Sequence, residues 1–71
     1  MQIAHITERE AEIIGCIRLG LTNKQMAERL FIAPITVKNH IYNIYYKTQV
    51  STRVELINLL MSINAQPVDS N

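Results

Sequence analysis

Three observations predict an all-α fold, a four-helix bundle containing a helix-turn-helix. Only two glycines and two prolines interrupt the 71 residues. Apolar residues recur at helical spacing, and no run alternates apolar with polar as a half-buried strand would. The pattern Thr-x-x-Glu/Gln, in which a side chain and a backbone N–H at a helix start satisfy each other, occurs at Thr7–Glu10, Thr22–Gln25 and Thr52–Glu55. These signals predict a flexible lead-in over 1–5, one domain over 6–64 and a flexible tail over 65–71.

Helix one opens at the Thr7 box and runs to about Leu19, with Ile13, Ile14 and Ile17 on its apolar side. Gly20 stops it, because glycine tolerates the left-handed conformation that follows a helix end. Glu10 lies close to the face of Ile14 and Ile17, and a half-buried carboxylate needs a partner. Arg53 is one candidate. The alternative is that Glu10 serves only the cap and stays wet.

Helix two spans about Asn23 to Leu30, with Met26, Ala27 and Leu30 inward. Lys24 stands in its first turn, where a cation opposes the helix dipole. A phosphate docked there explains the placement, since it meets backbone N–H groups, the Thr22 hydroxyl and Lys24 together.

Residues 31–33 form the turn, with Ile32 plugging the core. Pro34 suits the first position of helix three, where no backbone N–H is needed. From there Val37, Ile41, Ile44, Tyr45 and Thr48 share one side. Ile35, Lys38, Asn39, Tyr42 and Tyr46 share another. That second side is neither apolar enough for a core nor charged enough for plain solvation, and its chemistries suit base edges. Lys38 can donate to guanine, Asn39 can pair with adenine, and the Tyr42 ring can meet a thymine methyl. Tyr46 can stack on sugar-phosphate or reach its oxygens. The bland alternative for this face is ordinary solvation.

Helix four runs from the Thr52 box to about Ile63 and carries two apolar stripes. One is Leu56, Leu59, Leu60 and Ile63; the other is Val54, Ile57 and Met61. So wide an arc is covered either by a second copy of the helix in a two-fold dimer or by deep burial in the domain's own core. Arg53 lies between the stripes, which makes it the candidate partner of Glu10.

Net charge is only +1, but no acidic residue lies between Arg29 and Val54, while Glu8, Glu10 and Glu12 cluster in helix one. A polarised field with a small total is compatible with binding DNA through one face. Cys16 is the sole cysteine, which excludes an internal disulfide and a cysteine zinc cluster. Its type suits a small buried hydrophobe. No cofactor, metal or small-molecule ligand is expected, and no nucleophile–base pair or phosphate loop supports an enzyme. No apolar run is long enough to span a membrane and no basic-then-apolar leader opens the chain, so the cytoplasm is the expected location.

The series Ile6-Thr-Glu-Arg-Glu10, Gly20-Leu-Thr-Asn-Lys-Gln-Met-Ala27, Leu30, Ile32, Thr36-Val-Lys-Asn-His40, Asn43-Ile44, Lys47, Val50 and Arg53-Val-Glu-Leu56 resembles the LuxR-type (GerE-like) helix-turn-helix domain. The resemblance covers Ile6 to about Leu60. It implies a bacterial transcription regulator, with the third helix in the DNA major groove and the fourth at a homodimer contact, for which the second apolar stripe, Val54, Ile57 and Met61, is the expected surface. It implies base contacts from Lys38, Asn39 and Tyr42. It places Thr22, Asn23, Lys24, Thr36, His40 and Lys47 near the DNA backbone, and it too suggests a Glu10–Arg53 pair. The sequence departs from the family where Lys-Leu-Gly-Val usually ends helix three, with Thr48 and Gln49 in place of leucine and glycine. A non-glycine at that left-handed position carries about 1 kcal/mol of strain or changes the helix end.

The expected function is therefore sequence-specific binding of double-stranded DNA by a dimeric regulator. The alternatives are a promoter-reading domain like that of a sigma factor, and a protein-interaction module whose polar face meets another regulator or RNA polymerase.

Overall fold

The computed structural model describes residues 5–64; the side chains of Ile63 and Asn64, and residues 1–4 and 65–71 with the whole expected tail, lie outside the described residues. Four helices form among the described residues: α1 (Glu8–Arg18), α2 (Asn23–Leu30), α3 (Pro34–Thr48) and α4 (Arg53–Asn64). No strand is present among the described residues.

The capping boxes set the helix starts. Thr7 Oγ1 accepts from the Glu10 N–H at 3.1 Å and Glu10 Oε1 accepts from the Thr7 N–H at 3.0 Å. Thr22 Oγ1 likewise accepts from the Gln25 N–H at 3.1 Å, and Gln25 Oε1 accepts from the Thr22 N–H at 2.8 Å. The third box closes on one side only. Thr52 Oγ1 accepts from the Glu55 N–H, but the Glu55 carboxylate reaches one residue further back, to the Ser51 N–H at 2.6 Å. Helix α3 begins without a side-chain cap, at Ala33, and relies on Pro34 in its first turn.

Three helix ends share one device. The residue after the last turn is left-handed, and the N–H following it reaches back to a carbonyl of that turn. Leu21 donates to the Cys16 carbonyl, Ile32 to Ala27 and Val50 to Tyr45, each at 3.1 Å. The left-handed residues are Gly20 (φ 81), Phe31 (φ 59) and Gln49 (φ 60). Gln49 thus keeps the helix end that a glycine would give, and accepts the strain. Phe31 does the same although nothing in its type favours it.

Helix α3 packs against α1 and α2, and its inner side supplies the centre of the core: Val37, Ile41, Ile44 and Thr48 are buried. Ile13, Cys16 and Ile17 come from α1, Met26 and Ala27 from α2, and Leu56 and Leu60 close the core from α4. Burying these side chains supplies about 1.5–3 kcal/mol for each large aliphatic and drives the assembly. Thr48 occupies the buried position of the missing leucine. Its hydroxyl donates to the Ile44 carbonyl at 2.8 Å, which satisfies the polar atom inside its own helix.

Candidate nucleic-acid interface

Because Val37, Ile41 and Ile44 anchor one side of α3 in the core, the opposite side is held outward. Lys38 and Asn39 are exposed there, together with Ile35 (61%), Tyr42 (55%) and Tyr46 (86%). The Lys38 ammonium lies 5.7 Å from the centroid of the Tyr42 ring, one helical turn on. That distance permits a cation–π contact between the two side chains. The three residues expected to read bases therefore share one surface, and two of them touch.

Thr22 and Lys24 stand at the start of α2, Lys24 exposed and Thr22 engaged in its cap. The Asn23 amide oxygen accepts from Arg53 Nη2 at 2.6 Å, which leaves the amide N–H groups as its donors. Thr36 and His40 are half-buried beside the exposed face. The described residues contain no group of three His, Cys, Asp or Glu able to hold a metal.

The expected Glu10–Arg53 pair is corrected by the geometry. Glu10, only 3% exposed, pairs with Lys47 at 2.7 Å. Lys47 also donates to the His5 carbonyl at 2.8 Å. Arg53 instead clamps the α1–α2 turn, donating to the Leu21 carbonyl at 2.8 Å and to Asn23. The reason is the packing. The last turn of α3 runs beside the start of α1, while the first turn of α4 meets the segment leading into α2. Lys47 follows Ile44 by three positions and so borders the core side, a periodicity signal that makes it a candidate beside Arg53 without choosing between them. Burial pushes the Glu10 carboxyl up, but hydrogen bonds from Lys47 and Thr7 and the lysine charge outweigh it, and the net shift is downward. Two of the three ammonium protons of Lys47 are thus committed inside the protein, leaving one for any outside anion.

On α4, Val54 and Met61 are 66% and 62% exposed, whereas Ile57 is half-buried against the core. No helix among the described residues is long and apolar enough to cross a membrane.

A short helix, a tight turn and a longer helix with a polar, aromatic outer side define a helix-turn-helix domain. Residues 4–60 match the family model for GerE, described as bacterial regulatory proteins of the luxR family. The chain belongs to that family. It is 46% identical over 54 residues to a monoamine regulon transcriptional regulator of Klebsiella aerogenes, a match covering 76% of this chain and 24% of that protein. It is 41% identical over 54 residues to the CsgBAC operon transcriptional regulatory protein of Escherichia coli K12, covering 76% and 25%. The transcriptional regulatory protein LnrK of Bacillus subtilis is 43% identical over 54 residues, covering 76% and 24%. The chain matches about a quarter of the length of these relatives.

Proposed function

We propose that this chain binds double-stranded DNA sequence-specifically as the DNA-reading domain of a transcription regulator in the bacterial cytoplasm. The observation that carries the reading is the outer side of α3, where Lys38, Asn39 and Tyr42 are exposed together while the inner side is buried. Lys38 and Asn39 supply donors and acceptors for purine edges in the major groove. Lys24, Thr22, the Asn23 amide, Thr36, His40, Tyr46 and the remaining Lys47 proton serve the phosphates and sugars. These contacts supply affinity and register without reading sequence. Two copies pair through the exposed Val54 and Met61, with Ile57 at the edge of the contact, so each reads one half of an inverted repeat.

Selection of bound duplexes from a random DNA pool tests this. Enrichment of an inverted repeat supports both base reading and the dimer; a single half-site supports base reading alone. Asn39→Ala should relax preference at one position per half-site, while Lys24→Ala should weaken all sequences alike and lower the salt slope by about 1. Binding that is absent even at low salt would overturn the proposal in favour of a protein-interaction module.

A further inference from the structure

We propose that Ile35 is a specificity-determining residue that reads a thymine methyl group, an inference that rests on the DNA-binding reading above. Ile35 is the second residue of α3 and is 61% exposed, so the fold makes little use of its side chain. It stands three, four and seven positions before Lys38, Asn39 and Tyr42, on the same outer side. In helix-turn-helix proteins the N-terminal residues of the recognition helix contact base edges. An isoleucine there has no donor or acceptor to offer. The apolar group that base pairs present in the major groove is the thymine C5-methyl, so an aliphatic side chain on this face discriminates through that group. Lys38 and Tyr42 engage each other at 5.7 Å, which leaves Ile35 and Asn39 as neighbours one turn apart at the leading end. Four residues of helix advance about 6 Å, or roughly two base-pair steps. The thymine read by Ile35 therefore falls within about two base pairs of the adenine read by Asn39.

The test uses the 71-residue chain and the duplex it enriches from a random pool, with deoxyuracil replacing thymine one position at a time. That exchange removes only the methyl group. The wild-type chain should lose about fourfold in affinity at one thymine per half-site, the value of one buried methyl-sized group. Ile35→Ala should bind the thymine duplex more weakly and be indifferent to uracil at that position, while Ile35→Val retains most of the methyl dependence. Circular dichroism should be unchanged, because the side chain is exposed. If Ile35→Ala keeps the full methyl dependence, or uracil costs nothing at any thymine, the inference is overturned. The DNA-reading proposal still stands in that case if Asn39→Ala relaxes base preference. If no duplex is enriched and none binds, both fall together.

Discussion

Replacing Lys47 with methionine removes the Glu10 ion pair, and with it the bond to the His5 carbonyl, while keeping most of the bulk of the lysine stem. In the wild type the two groups are 2.7 Å apart, with Glu10 side-chain exposure of 4% and Lys47 of 26%. Removing one partner of a fully buried pair costs about 3–5 kcal/mol. Two features reduce that here. Water reaches the lysine end, and Glu10 keeps the Thr7 N–H at 3.0 Å. A loss of about 2 kcal/mol is expected after that discount for solvent screening. A chain of 71 residues has roughly 4–10 kcal/mol in all, so the variant should fold but melt early. Urea unfolding followed by circular dichroism measures the loss. A double-mutant cycle with Glu10→Gln should give a coupling of about 1 kcal/mol, whereas Glu10→Gln and Arg53→Met should be additive within about 0.5 kcal/mol. The pH dependence adds a second reading. Because the folded Glu10 carboxyl lies below its ordinary value of 4.5, its contribution is complete above that value and is lost as pH falls through the folded pKa. In Lys47→Met the lowering influences of lysine are gone, and that acid-linked loss should shrink. Coupling of Glu10 to Arg53 instead of Lys47, or a cost below about 0.5 kcal/mol, would refute the reasoning.

Two further outcomes concern the ends of α3. Gln49→Gly removes a left-handed penalty of about 1–2 kcal/mol at φ 60, offset by about 0.5 kcal/mol of added unfolded-state freedom. The net gain of about 1 kcal/mol should raise Tm by about 4–8 °C in a thermal scan. Ala33→Ser supplies the hydroxyl that the uncapped start of α3 lacks, and should stabilise by about 1 kcal/mol in urea. A loss of stability in either variant would show that this end of α3 departs from the cap geometry given above.

The helix ends were legible because they are local. Thr7, Thr22, Gly20 and Pro34 act within a few residues of themselves, and periodicity then sorted Val37, Ile41 and Ile44 from Lys38, Asn39 and Tyr42. Phe31 was not legible as a left-handed residue. Its conformation is imposed by the turn, where Ile32 packs on the core and donates back to Ala27. Nor was the Glu10 partner fixed by pattern alone. Lys47 and Arg53 are 37 and 43 positions away and both border core faces. Which one meets Glu10 depends on how α3 and α4 are rotated against α1, a quantity that no single helix encodes.

The same dependence gives the Glu10–Lys47 pair a role in the outer face. Helix α3 is built from residues with divided duties: every side chain that fixes its rotation in the core also fixes which side chains look outward. Val37, Ile41 and Ile44 set that rotation along its length. At its last turn the inward residue is Thr48, whose hydroxyl bonds within α3 and so adds no bond to a neighbouring helix. Lys47 supplies that bond, tying the end of α3 to the start of α1 through Glu10 and the His5 carbonyl. A leucine at position 48 would hold the helix by packing volume; in this chain an ion pair beside it shares the work. Loss of Lys47 should therefore disturb the rotation of α3 at its C-terminal end, near Tyr46, before it disturbs Lys38 and Asn39 further toward the N-terminus. Amide exchange in Lys47→Met should accelerate over 44–48 more than over 37–41. Uniform acceleration along α3 would mean that the pair contributes to global stability alone.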